Sequence, residues 1–136
     1  MPLSNTGVAL EAKVVRTFKF SAAHSISGLP SGHKCSRLHG HSYRVEVEIA
    51  GLVDDVGMVI DFGELQWIQS FLDNTVDHRT LNDVVSVNPT SELLAHWLWG
   101  EINQWLAHRP ERERIQTLSV TMSESAGTRA TYGRDL

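Results

Sequence analysis

From His39 to Ile49 the chain alternates without interruption. His39, His41, Tyr43, Val45, Val47 and Ile49 fall on one side, and Gly40, Ser42, Arg44, Glu46 and Glu48 on the other. Successive side chains of an extended strand point to opposite faces. The segment therefore predicts a long strand, packed on one face and polar on the other, as in an antiparallel sheet covered on one side. The same alternation puts His39 and His41 on one face.

Other patterns fill in the fold. Phe18, Phe20, Ala22 and His24 recur at period two, which predicts a strand ending at His24. Residues 27–34 contain Gly28, Pro30 and Gly32 and read as a loop. Residues 51–57 read as a polar turn, and the short apolar run 58–61 as the returning strand of a hairpin. Leu65, Ile68 and Leu72 then follow helical spacing, predicting a helix over 63–73. Residues 76–82 read as irregular. Asn88-Pro89-Thr90-Ser91-Glu92 has the composition of a helix start, with capping side chains, an early proline and an early glutamate. Leu94, Trp97, Leu98, Glu101 and Trp105 mark the stripe of that helix, which should end near His108, before Pro110. Leu118, Val120, Met122 and Glu124 alternate in a last strand. The order of elements predicts an α+β domain: a four-stranded antiparallel sheet with two helices on one face.

A chain of 136 residues fits one domain, here 13–136 after a leader of residues 1–12. The formal charge of −4 argues against a general nucleic-acid or membrane-surface binder. No apolar run approaches the roughly 20 residues that span a bilayer, and residues 1–11 lack the features of a signal peptide. A single cysteine, Cys35, cannot form an internal disulfide. These features together predict a cytoplasmic protein.

The chemistry concentrates in the histidines. His39 and His41 share a strand face, and His24 on a neighbouring strand can supply a third imidazole. Three neutral nitrogens suit Zn²⁺, although copper, nickel or iron could take the same set. Three protein ligands also leave one coordination position open, the hallmark of a catalytic rather than a structural zinc. Cys35 can be read in two ways. As a fourth ligand it would close the site; as a thiolate near a cation it would serve as base or nucleophile. His33, His96 and His108 fit no pattern, and the last two read as solvated helix residues.

Asp77-His78 is a carboxylate beside an imidazole, a possible acid/base pair. Glu124 continues an apolar strand face, where an acid is costly unless partnered. It could accept two parallel N–H groups from a guanine-like ring edge, pair with an arginine, or sit where the strand already reaches solvent.

Taken together, these residues resemble a known family. Phe20-Ser21-Ala22-Ala23-His24, the Cys35-to-His41 segment, Asp61-Phe62, Val76-Asp77-His78, Leu81-Asn82, Asn88-Pro89-Thr90-Ser91-Glu92 and Glu124 occur in the order seen in the 6-pyruvoyl-tetrahydropterin synthase family. The resemblance runs from about Lys13 to Tyr132. The gap of three residues between Cys35 and His39, with Gly32-His33-Lys34-Cys35 before it, looks like the branch that makes 6-carboxy-5,6,7,8-tetrahydropterin for queuosine synthesis. In the pyruvoyl branch the gap is longer, and a third branch carries a glutamate near the position of Cys35.

The resemblance implies a tunnelling (T) fold whose subunits join their sheets into trimers or hexamers with active sites between subunits. It implies that His24, His39 and His41 bind Zn²⁺, that Cys35 is the general base, and that Asp77 and His78 complete a proton relay. It implies that Glu124 anchors the pterin with help from Thr90. The implied reaction converts 7,8-dihydroneopterin triphosphate to 6-carboxy-5,6,7,8-tetrahydropterin, releasing acetaldehyde and triphosphate. Alternatives are the pyruvoyl-forming activity and a non-catalytic zinc- or pterin-binding module. Ser125 stands where the family commonly has threonine. Lys34, Arg37 and Arg79 are candidates for the triphosphate, because a polyanion needs cations nearby.

Overall fold

The computed structural model of the protein describes residues 9–136. Strands β1 (Glu11–His24) and β2 (His39–Leu52) pair antiparallel along their whole length, with His24 opposite His39, Ala22 opposite His41 and Phe20 opposite Tyr43. Helix α1 (Gln66–Thr75) and the short strand β3 (Arg79–Thr80) follow, then helix α2 (Ser91–Leu106), strand β4 (Ile115–Ser123) and strand β5 (Ala130–Asp135). Among the described residues the sheet has five strands in the order β3-β1-β2-β4-β5. β3 runs parallel to β1, so the sheet is mixed.

The alternation in β1, β2 and β4 is what builds the core. Phe18, Phe20, Tyr43, Val45, Val47, Ile49, Leu118, Val120 and Met122 all face inward and are buried. α2 packs on β4 and β5, and α1 on β1, closing the same face with Ile68, Leu72, Leu94, Leu98, Ile102 and Leu106. Burying one such side chain contributes roughly 1.5–3 kcal/mol. α2 begins at Thr90, whose hydroxyl oxygen accepts the Leu93 N–H at 3.2 Å.

Several expectations need correction. The sheet has five strands, not four, and is not wholly antiparallel. β3 is two residues long, too short to show a period, and β5 is a half-exposed edge strand whose sequence is mostly polar. Residues 58–61 form no strand. Val59 and Ile60 are both buried although adjacent, which does not fit a strand covered on one face only. The segment is shaped instead by side chains. The Asp54 carboxylate accepts the N–H groups of Val56, Gly57 and Met58 at 3.0 Å each. Arg114 donates to the carbonyls of Leu52 and Val59.

The first helix starts as a 3-10 turn over Phe62–Leu65 and ends at Thr75, two residues beyond the expected limit. α2 ends at Leu106, a little before His108. Residues 1–8 of the expected leader lie outside the described residues, and Glu11 and Ala12 already belong to β1.

Candidate metal centre and its surroundings

The β1–β2 register brings the ends of both strands together. His24 closes β1, His39 opens β2, and His41 lies one rung further on the same inward face. The ring centroids are 4.6 Å (24–39), 5.0 Å (24–41) and 4.8 Å (39–41) apart. One nitrogen from each ring lies within 4.8 Å of the others. His24 is only 1% exposed, while His39 and His41 are half-buried.

The outer nitrogens are held by groups that fix the tautomer. His24 Nδ1 lies 2.8 Å from the Pro89 carbonyl, and His39 Nδ1 lies 2.7 Å from the Arg37 carbonyl. A carbonyl oxygen only accepts, so each Nδ1 carries the hydrogen and each Nε2 presents a lone pair. These two Nε2 atoms are 3.1 Å apart. Two lone pairs at that distance repel unless a cation lies between them. Among the described residues the buried His41 Nε2 has no hydrogen-bond partner, which is costly for a polar atom unless something binds it. The residues thus fit a divalent metal. Backbone carbonyls on the outer nitrogens are also the usual way in which metal-bound imidazoles are oriented.

Burial holds the pKa of His24 below its ordinary value, and the neighbouring His39 and His41 add to this. The Pro89 hydrogen bond and Glu124 oppose it. The net effect keeps His24 neutral, the ligating form. The Tyr43 hydroxyl sits 3.1 Å from His24 Nδ1. Burial, then the Glu124 charge, pushes its pKa up, so it stays protonated.

Glu124 follows directly on β4, with its Oε2 3.9 Å from His24 Nε2 and 3.8 Å from His41 Nε2. The Ser91 hydroxyl donates to the same oxygen at 3.4 Å. Among the described residues no arginine comes within ion-pair distance of Glu124; the acid on the inward face takes a hydrogen bond from Ser91 and faces the His24 and His41 rings. Thr90 caps α2 through its hydroxyl oxygen and keeps its hydrogen free to donate, while Ser91, not Thr90, touches Glu124.

Asp77 and His78 form a clamped pair. Asp77 Oδ1 accepts the Ser21 N–H at 2.8 Å, and Oδ2 lies 2.8 Å from His78 Nδ1. The Ser21 hydrogen bond, then that of His78, holds the Asp77 carboxyl below its usual pKa. It is therefore ionised, so His78 Nδ1 donates to it, and in the neutral imidazole Nε2 carries the lone pair. That ring is 82% exposed. His78 is also the one non-glycine among the described residues with positive φ, at 59°, and its N–H donates to the Ser21 carbonyl at 2.6 Å. Such a conformation costs of order 1 kcal/mol and persists only where neighbours enforce it; here the edge of β1 does so. His78 lines a depression of about 520 Å³ together with the metal-site residue His41, Ser21, Ser42 and Arg79.

Cys35 lies in a 3-10 turn over Lys34–Ser36, half-buried, with its N–H capped by His33 Nδ1 at 3.0 Å. Among the described residues the converging metal-ligand set is the three histidines without Cys35. Nor does Cys35 line the depression shared by His41 and His78. Lys34 and Arg37 are exposed on the same turn, and Arg79 is exposed in the depression.

Residues whose role the sequence did not show hold this site in shape. The Asn82 side-chain amide bridges both the N–H and the carbonyl of Ser25 at 2.9 Å. Asn88 does the same for Ser27, at 3.1 and 3.0 Å. Two asparagines thus act as strand partners for the loop that leaves His24. Tyr43 was visible in principle, since it continues the alternation of His39 and His41.

The family model described as 6-pyruvoyl tetrahydropterin synthase matches residues 13–135. The chain belongs to this family. Among similar proteins, one from Synechocystis named 6-carboxy-5,6,7,8-tetrahydropterin synthase is 35% identical over 117 residues, covering 81% of this chain and 88% of that one. A protein of the same name from Rickettsia bellii is 40% identical over 105 residues, covering 76% and 73% respectively. The solved 6-pyruvoyl tetrahydropterin synthase of Caenorhabditis elegans superposes with a TM-score of 0.73 at 27% identity, over 91% of this chain and 96% of that one. The Plasmodium vivax 6-pyruvoyltetrahydropterin synthase shares the fold with a TM-score of 0.78 at 21% identity, over 93% and 99%. The T fold inferred from the motifs is therefore the observed one, with an additional strand.

Proposed function

We propose that the protein is a zinc-dependent carbon–carbon lyase that converts 7,8-dihydroneopterin triphosphate to 6-carboxy-5,6,7,8-tetrahydropterin, acetaldehyde and triphosphate. In this reading it serves queuosine synthesis in the cytoplasm as a homo-oligomer, a trimer or hexamer with active sites between subunits. The observation that carries the reading is the convergence of His24, His39 and His41, with His41 and the Asp77-clamped His78 lining one depression. The names of the relatives favour the carboxy product over the pyruvoyl one.

His24, His39 and His41 would hold the metal through Nε2. Bound there, Zn²⁺ supplies Lewis-acid polarisation of a substrate side-chain oxygen, which makes the adjacent carbon-bound proton easier to remove. The residues of the chain do the rest. Glu124, next to the centre, accepts paired N–H groups from the pterin edge and so fixes how the ring enters. Ser91 and the free hydroxyl hydrogen of Thr90 orient that end of the ring. His78, its Nδ1–H held by Asp77, has an exposed Nε2 that can take a proton and return it. Cys35 is the second proton-transfer group. It lies outside the depression of the single chain, so its role in this reading depends on a site completed between subunits.

Product analysis tests the reading. The metal-loaded protein incubated with 7,8-dihydroneopterin triphosphate should release acetaldehyde. Accumulation of 6-pyruvoyl-tetrahydropterin without acetaldehyde would move the chain to the pyruvoyl branch. Absence of any turnover would leave the alternative of a non-catalytic module.

A further inference from the structure

Beyond His24 the chain runs into an exposed loop that returns at Cys35, and side chains fix both of its ends. Asn82 binds the N–H and the carbonyl of Ser25, each at 2.9 Å. Asn88 binds the same two groups of Ser27, at 3.1 and 3.0 Å. Ile26, between them, turns its N–H the other way and donates to the Cys35 carbonyl at 2.9 Å. Residues 25–27 thus form the middle rail of a short ladder, with the two asparagine amides on one side and the Cys35 turn on the other. The Cys35 N–H is held as well, by His33 Nδ1 at 3.0 Å, so both backbone groups of the cysteine have partners.

The asparagines are the fixed side of this ladder. Asn82 follows the fully buried Leu81, and Asn88 precedes the buried Pro89. The loop is the held side. Residues 27, 28 and 30–34 are exposed. Gly28 and Gly32, at φ of 85° and 83°, have nothing within 4 Å of where a Cβ would lie. Water could satisfy the backbone of such a loop, and exchanging water for a protein partner adds little stability. What the asparagines add is position. Asn82 lies two residues after β3, which follows His78 and pairs with β1. Asn88 lies one residue before the carbonyl that orients His24. The ladder therefore ties the cysteine turn to the segment of Asp77 and His78 and to the support of a metal ligand.

We infer that Asn82 and Asn88 are positioning residues for Cys35: by fixing Ser25 and Ser27 they set Ile26, and through it the place of the thiol relative to His24 and His78. That the thiol transfers a proton rests on the proposed function; that the asparagines hold its turn does not. A displacement of about 1 Å in a reacting group can cost of order a hundredfold in rate. Weak exposed hydrogen bonds then matter far more to turnover than to stability.

Hydrogen exchange and kinetics of N82A and N88A, in the metal-loaded full-length protein, test this. The N–H groups of residues 25–36, followed by mass spectrometry, should exchange about tenfold faster in each variant, while those of β2 keep the parent's rates. Tm should fall by only a few degrees, and zinc content should not change. With 7,8-dihydroneopterin triphosphate, kcat should fall about 10- to 100-fold with KM within about threefold. N82D and N88D keep an oxygen for the serine N–H but lose the donor to its carbonyl. They should fall between the parent and the alanine variants in both readouts, and they stand in for any alanine variant that does not fold. N74A, at an exposed position of α1, should match the parent in both.

Parent-like exchange of 25–36 in N82A and N88A would overturn the hold on the cysteine turn. Faster exchange with unchanged kcat would overturn the positioning role. Loss of zinc in N88A would overturn the assignment of that residue to Cys35 and give it to the metal centre. If the parent itself turns over no pterin, the proposed function fails and the effect on turnover falls with it. The exchange measurement then still decides whether the asparagines hold the turn.

Discussion

Asp77→Asn separates the proton-transfer role of the Asp77–His78 pair from its structural role. In the parent, Asp77 Oδ1 accepts the Ser21 N–H and Oδ2 accepts from His78 Nδ1, both at 2.8 Å. Asparagine retains an oxygen for Ser21 but presents an NH₂ group to His78 Nδ1. Two donors cannot face each other, so the imidazole must move its hydrogen to Nε2 and accept at Nδ1. The exposed Nε2 then has no lone pair with which to take a proton. A positioned general base contributes about 10²–10⁴ in rate, so kcat should fall by about that factor, or roughly 3–5 kcal/mol of barrier. The Ser21 contact survives as a neutral hydrogen bond, so the stability loss should be about 1 kcal/mol, a few degrees in Tm. Metal content should not change, because His78 is not in the converging ligand set. Steady-state kinetics, metal analysis and nitrogen NMR of the His78 tautomer check the three parts. A kcat within about threefold of the parent, with the tautomer shown to have switched, would refute the role given to His78.

Other outcomes follow from the same geometry. Tyr43→Phe removes the hydroxyl 3.1 Å from His24 Nδ1 and should weaken zinc affinity by up to about tenfold, read by chelator competition. The apo protein should lose stability as pH falls. Burial lowers the pKa of His24 in the fold, so the unfolded chain protonates first; the loss begins near the ordinary value of about 6.5 and is complete below the depressed folded value. Urea midpoints at a series of pH values measure it, and His24→Gln should flatten the profile. Leu98→Ala, at a site with no exposure, should cost about 2–5 kcal/mol in chemical denaturation. Gly51→Ala should also destabilise, because a Cβ there would run into the Arg114 backbone where β2 and β4 shift register.

The long strands and the metal ligands were legible because they share one signal. The alternation that buries Val45, Val47 and Ile49 also carries His39 and His41 to the inward face at the sheet's end. The paired register that places His24 against His39 is a tertiary fact, yet the apolar period of β1 already pointed His24 inward. What was not legible depends on single side chains binding distant backbone. Asp54 and Arg114 turn 58–61 from a strand into a bent segment. Asn82 and Asn88 hold the loop after His24 from more than fifty residues away. β5 was missed because Thr131, Arg134 and Asp135 are exposed on an edge, where no apolar face is needed. The partner of Glu124 could not be read either, since α2 delivers Ser91 and the sheet delivers the histidines only once both are folded.

The account turns on an open centre made of three imidazoles, with Cys35 outside it. X-ray absorption at the zinc edge of the metal-loaded protein tests that directly. Three nitrogen scatterers at about 2.0–2.1 Å with one further light atom and no sulfur is the predicted result; a sulfur shell at about 2.3 Å would make Cys35 a ligand, close the site and contradict the account.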